Sequence, residues 1–244
     1  MPIYIAAHKP ATFPNSPLYK PLALGGAELG QEGVIDNQDD NISHLNKYYC
    51  ELTGTYWIWK NGKTDIAGLC HYRRYFNFIP VATNHAILHA PFDDKTRTIL
   101  EHPEQLRLVH ALLDRYDVIV PRAIFEPHSV EHTYKTSHGV VEWESFIANL
   151  DLLYGRKAHS LDLERRFFIG NMLLCKRSIF DHYASQLFHV LDRVSQEVGT
   201  LPPQEGARYQ PYRYPAYLGE RFTSAFIKAN KLSYYEAQIL LIHG

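Results

Sequence analysis

Apolar positions fall along the chain in short runs and in spaced stripes, and the two patterns alternate. Residues 3–7 (Ile-Tyr-Ile-Ala-Ala) are a continuous apolar run that stops at His8-Lys9-Pro10, which predicts a short buried strand. Residues 11–41 are rich in Pro, Gly, Asn and Asp and read as a long loop, a feature usually tied to function. Asp40-Asn41-Ile42-Ser43 supplies N-cap chemistry for a helix running through Tyr48, Glu51, Leu52, Thr55, Tyr56 and Trp59 and ending at Asn61-Gly62. Residues 65–70 form a second apolar run that leads straight into His71-Tyr72-Arg73-Arg74-Tyr75-Phe76. Residues 80–97 read as irregular. Helices are predicted over 101–115, 140–154, 178–194 and 218–230, and strands over 116–121, 167–175 and 233–242. The segment 201–215, with its repeated Pro and Tyr, reads as a loop.

Strands alternating with helices predict an α/β fold with a mostly parallel central sheet flanked by helices. No repeat or linker divides the chain, so residues 1–244 read as a single domain. Ligands of such sheets sit beyond the C-terminal ends of the strands. That rule selects His8-Lys9, His71 to Arg74, and the residues from Pro121 onward.

Composition narrows the function classes. Hydrophobic residues make up 45% and charged residues 21%, which excludes a disordered or fibrous chain. The formal net charge of -1 lacks the basic excess of a nucleic-acid binder. Three cysteines read as reduced thiols and point to the cytoplasm. No run approaches the length of a membrane span, and the first residues lack the pattern of a signal peptide. The 17 tyrosines supply aromatic faces with polar tips, which suit sugars and nucleobases as well as ordinary cores.

The candidate chemistry is concentrated. Asp36-Asn37-Gln38-Asp39-Asp40-Asn41 reads as a turn and N-cap, or as metal ligands, but has no EF-hand spacing. Glu51 shares a helix stripe with Thr55 and Trp59, either exposed or buried with a hydrogen-bonding partner. Arg73 and Arg74, at the mouth of a parallel sheet, could grip a diphosphate or form a surface basic pair, because guanidinium groups stay charged and bind oxyanions bidentately. The 14 histidines form no zinc-binding spacing, and neither a Gly-x-Ser-x-Gly elbow nor a Walker loop is present.

Two blocks, residues 40–61 (Asp-Asn-Ile-Ser, Tyr-Cys-Glu-Leu-Thr, Tyr-Trp-Ile-Trp-Lys-Asn) and 66–76 (Gly-Leu-Cys-His-Tyr-Arg-Arg-Tyr-Phe), resemble a bacterial family of capsular and exopolysaccharide glycosyltransferases, long described as a domain of unknown function. Tyr116 to Pro121, Tyr134 to His138, Asn171-Met-Leu-Leu and Tyr217-Leu-Gly-Glu-Arg-Phe222 follow in the order of that family. The resemblance implies a GT-A-like fold and an inverting transfer of galactofuranose from UDP-galactofuranose. The acceptor would be a glycan or lipid-linked glycan. The work would be cytoplasmic, at the inner face of the membrane, with association through other assembly proteins.

The same resemblance frames the site. His8, Lys9, Asp40 and Asn41 would face the nucleotide. His71, Tyr72, Arg73 and Arg74 would hold the diphosphate, and Glu51 would orient the donor. Tyr134, His138 and Asn171 would line the donor–acceptor cleft. Arg73-Arg74 stands where GT-A enzymes carry a metal-binding Asp-x-Asp, which implies a metal-independent site, or one whose ligands lie elsewhere. Asp39-Asp40 and Asp162 with Glu164 are the remaining metal candidates. Glu220, expected in the first turn of a late helix, is the candidate base, with Glu142 and Glu144 as runners-up. The competing expectations are a non-catalytic glycan-binding protein and a histidine-metal hydrolase.

Overall fold

The computed structural model describes residues 2–79, 83, 85–156, 161 and 163–243. The first third of the chain holds β1 (Ile3–Ala7), β2 (Tyr19–Ala23), β3 (Val34–Ile35), α1 (Asn46–Tyr49), α2 (Leu52–Asn61), β4 (Ile66–His71) and β5 (Arg74–Asn77). The middle holds β6 (Ile87–Pro91), α3 (Asp94–Leu100), α4 (Glu104–Leu113), β7 (Val118–Pro121), β8 (Ile124–Phe125), α5 (Val130–Ser137) and α6 (Val141–Tyr154). The last third holds β9 (Arg166–Phe167), β10 (Leu173–Lys176), α7 (Arg177–Val198), α8 (Tyr214–Ala229) and β11 (Tyr234–His243).

One large sheet organises these elements. Its strands run β3-β2-β1-β4-β10-β7-β11-β6, and β5 joins β4 to β11. The expected mostly parallel sheet is a mixed one. β1 pairs in parallel with β2 and β4, and β11 in parallel with β6 and β7. β5 and β10 run against their neighbours. For β5 the cause is local: His71 pairs with Arg74 across a two-residue turn, which permits only an antiparallel return.

Side chains alternate between the two faces of the sheet, as strand geometry requires. Tyr4 and Ala6, Ala67 and Leu69, and Val118 and Val120 join one core with helices α2, α6, α7 and α8. Ile3 and Ile5, Cys70, and Ile119 join a second core with α4 on the opposite face. Burial on both faces explains why these strands read as unbroken apolar runs.

Five local expectations change. Residues 11–41 contain β2 and β3; Lys20 and Pro21 interrupt the apolar pattern of β2, and β3 is only two residues long. The single helix over 43–61 is broken at Cys50, whose φ is +50°. The strand over 167–175 is split by a turn at Gly170 (φ +80°) and Asn171 (φ +49°). The last helix starts at Tyr214, with Pro215 in its first turn, where a missing N–H costs nothing. β6 lies, and α3 begins, within the stretch read as irregular.

Candidate functional site

The break at Cys50, the turn at 170–171 and the start of α8 meet at one edge of the sheet. Register places Ala6 of β1 beside His71 of β4, so both strands end there. A cavity of about 840 Å³ opens at that edge. Of the expected site residues it gathers His8, Glu51, His71, Tyr72, Arg73, Arg74 and Glu220. Lys47, Arg208 and Arg213 also line it. Five basic side chains (Lys47, Arg73, Arg74, Arg208, Arg213) therefore face two carboxylates (Glu51, Glu220), in a chain whose formal net charge is -1.

The cations stand on different supports. Arg73 sits in the β4–β5 turn and Arg74 opens β5. Arg74 Nη1 lies 3.1 Å from His71 Nδ1. Burial lowers the pKa of His71, with Glu51 opposing and Arg74 assisting, so the ring is neutral and accepts from Arg74. Arg213 Nε donates to Cys50 Sγ at 3.0 Å, and burial raises that thiol to about 11. His8 meets the Tyr72 ring edge-on at 5.4 Å; burial, Lys9 and Arg213 lower its pKa. Lys9 lies outside the cavity lining, 5.9 Å above the Tyr72 ring.

Both carboxylates hang from the 170–171 turn. Asn171 Nδ2 donates to Glu51 Oε1 at 2.7 Å and to the Ala216 carbonyl at 3.0 Å. The Gly170 N–H donates to Glu220 Oε1 at 2.6 Å. Arg221 Nη1 holds Glu220 Oε2 at 2.7 Å, and its guanidinium lies over the Phe167 ring at 4.2 Å. Burial raises the pKa of Glu220, with Arg221 opposing. Its side chain keeps 21% exposure, facing the cavity. Glu220 is the seventh residue of α8 and not part of its first turn, because the helix begins at Tyr214. Gly219 is required at its position: a Cβ there would stand 2.6 Å from Asn171 Oδ1.

Other expected residues lie elsewhere. Asn171 is buried behind the cavity wall rather than lining it. Tyr134 is fully buried, and His138 packs behind the wall, stacked on Tyr217 at 4.2 Å. Burial and Arg221 lower the pKa of His138 to about 3. Glu142 is buried in the first turn of α6, where desolvation raises its pKa, and Glu144 pairs with Lys135 at the surface. Asp40 accepts from the Tyr56 hydroxyl at 3.1 Å, and Asn41 accepts from the Ser43 N–H at 3.1 Å. Both shape the turn before α1 and lie outside the cavity lining. The acid of that cluster which the fold buries is Asp36, which accepts from Gly25 N–H, Ser43 and Thr53.

Asp39 is exposed, Glu164 pairs with Lys228, and Asp162 lies outside the described residues. Among the described residues no three His, Cys, Asp or Glu side chains gather in a metal-binding group. The sequence reading missed Lys47, Cys50, Arg208, Tyr209, Tyr212, Arg213 and Tyr217 as lining residues. The signal was present in Arg208-Tyr209-Gln210-Pro211-Tyr212-Arg213-Tyr214, where cations and aromatics interleave, but the prolines read as loop.

No curated protein sequence matches the chain. Among solved structures, the chain is similar to the apo structure of WbbM, a bifunctional glycosyltransferase, with a TM-score of 0.83 and 25% identity. That likeness covers 99% of this chain and 45% of WbbM, so the chain spans less than half of that protein's length. A family described as a domain of unknown function, DUF4422, matches residues 2–231, and the chain belongs to that family.

Proposed function

We propose that this chain is a glycosyltransferase that takes a sugar from a UDP-sugar and passes it to a glycan acceptor. One observation carries the reading: five basic side chains converge on a cavity that also holds two positioned carboxylates, at the end of parallel strands. A dense cationic patch in a chain without cationic excess suits a diphosphate. The likeness to WbbM supports the same reaction class.

In this reading Arg73, Arg74 and Arg213 hold the diphosphate and stabilise the charge that grows on it as the sugar leaves. Glu220 takes the proton of the acceptor hydroxyl, which attacks the anomeric carbon from the opposite face and inverts it. An upward-shifted carboxylate is a better base, and Glu220 has that shift together with cavity access. Glu51, held by Asn171, hydrogen-bonds the donor. The arginines perform the neutralisation that a metal would otherwise perform, so transfer proceeds in EDTA. The donor sugar is galactofuranose, and the product belongs to a bacterial surface polysaccharide. Among the described residues no helix is long and apolar enough to cross a membrane. In this reading, association with the inner face of the membrane runs through other assembly proteins or the lipid-linked acceptor.

The test is turnover of UDP-galactofuranose, followed by UDP release with and without EDTA. Release in both conditions supports the reading. No release from UDP-galactofuranose or other UDP-sugars, with UDP still bound, would point to a non-catalytic binding protein.

A further inference from the structure

A second cavity of about 340 Å³ borders the first. Tyr212 lines both. Lys47, from the wall of the first cavity, lies 5.1 Å over the Tyr212 ring and 5.8 Å over the Tyr48 ring, so it forms the ridge between them. The volume lies near the small end of the roughly 300–1,000 Å³ seen for ligand pockets.

The chemistry of the second cavity differs from that of the first. Tyr48, Tyr49, Tyr212 and Tyr214 supply aromatic walls. Asp192, Ser195 and Gln196 enter from α7, at spacings that share one helix face. No lysine or arginine lines it among the described residues. Tyr49 hydrogen-bonds Ser195 at 3.0 Å, and Tyr214 donates to the Gly199 carbonyl at 3.0 Å, so these two form fixed walls. Asp192, Gln196 and the hydroxyls of Tyr48 and Tyr212 have no side-chain hydrogen-bond partner among the described residues. A carboxylate in a lining without lysine or arginine repels phosphate. Aromatic faces beside free hydroxyl, amide and carboxylate groups fit the apolar face and hydroxyl rim of a neutral sugar.

We infer that this tyrosine-lined cavity is a binding subsite for a neutral sugar residue of the acceptor glycan, one or more residues behind the hydroxyl that attacks. The inference rests on the glycosyltransferase reading. An acceptor whose terminal hydroxyl reaches Glu220 must send the rest of its chain out of the first cavity, and the Tyr212 wall is where the two cavities meet. Asp192 accepts hydrogen bonds from sugar hydroxyls, and Tyr48 packs against the ring.

Saturation-transfer NMR with three phosphate-free probes, lactose, maltose and cellobiose, tests this first without and then with UDP. Wild-type protein should transfer saturation to at least one disaccharide at about 10 mM, where a millimolar ligand is well occupied. Asp192→Asn and Tyr48→Ala should each weaken that sugar about tenfold, the usual worth of a hydrogen bond to a charged group in the first case. Both variants should keep the wild-type melting temperature within a few degrees and the same UDP affinity. Absence of transfer to all three disaccharides overturns the inference, as does transfer that both variants leave intact. Displacement of the disaccharide by UDP also overturns it, because that places the sugar in the first cavity. Failure of UDP to bind the wild-type protein would instead count against the glycosyltransferase reading, and the disaccharide signal reads the second cavity separately.

Discussion

The two cavities that share Tyr212 are built from neighbouring elements but carry opposite electrostatics. The larger gathers Lys47, Arg73, Arg74, Arg208 and Arg213 around two carboxylates; the smaller has Asp192 and no lysine or arginine among its described lining residues. The support differs as well. The carboxylates of the larger cavity are held by the backbone of Gly170 and the side chain of Asn171. The smaller one has Asp192 standing without a hydrogen-bond partner among the described residues. A group fixed in advance suits charge that develops at one point in a reaction. A free group suits a ligand that supplies its own hydroxyls. On the proposed reading, the difference separates a place for chemistry from a place for recognition, a few residues apart.

The largest effect that would sharpen this contrast is at Glu220. Glu220→Gln should lower turnover by about 10² to 10⁴ while UDP affinity stays near wild type, since general-base catalysis acts in the transition state. Retention of a tenth or more of the activity would remove Glu220 from the base role. Next comes the diphosphate grip. Arg73→Ala and Arg74→Ala should each weaken UDP about tenfold or more, the worth of a charged hydrogen bond. Titration calorimetry reads this directly, and the same changes should leave disaccharide binding intact.

A third effect falls on the support. Gly219→Ala forces a Cβ against Asn171 Oδ1 and Leu52 Cδ1, at 2.6 and 2.9 Å. Overpacking of this kind costs about 1–3 kcal/mol, so the melting temperature should fall, and turnover should fall further as Glu51 loses its hold. An unchanged melting temperature would show that the turn has room to move.

The fourth effect is a pH dependence. In the folded chain His138 stays neutral down to about 3, against an ordinary value of 6.5. The unfolded chain takes up the proton near 6.5, so stability is present above that pH and is lost as the pH falls through the window between 6.5 and about 3. Thermal melts from pH 7 down to about 4.5 should show a decline, and His138→Phe, which keeps a ring beside Tyr217, should flatten part of it. A parallel decline in both proteins would assign the effect to other groups. The smallest effect is at Glu144. It pairs with Lys135 at the surface, so Glu144→Gln should change neither turnover nor melting temperature measurably.

Much of this arrangement was legible in the residues. The strands β1, β4 and β7 are apolar runs buried on both faces, and His71 to Arg74 stood out as donors following such a run. Glu51 stood out as a carboxylate on an otherwise apolar helix that needed a partner if buried, and Asn171 supplies one. What stayed hidden was tertiary. The helical pattern over 43–61 continues through Cys50, yet Asn46 bonds the Cys50 carbonyl and Thr53 and breaks the helix there. Asp40 and Asn41 had the right chemistry for a helix start and serve that turn, away from the cavity. Pro211 and Pro215 punctuate the segment holding Arg208 and Arg213 and give it the pattern of a loop, whereas Pro215 lies in the first turn of α8, which carries the preceding cations to the sheet edge.

The central claim is that the cationic cavity holds the diphosphate of a sugar nucleotide. Calorimetric titration of the wild-type protein with UDP and with uridine, at low and high salt, tests it most directly. UDP should bind far more tightly than uridine, and only the UDP affinity should fall as salt screens the phosphate contacts. Equal affinities for UDP and uridine, or UDP binding indifferent to salt and to Arg73→Ala and Arg74→Ala, would contradict it.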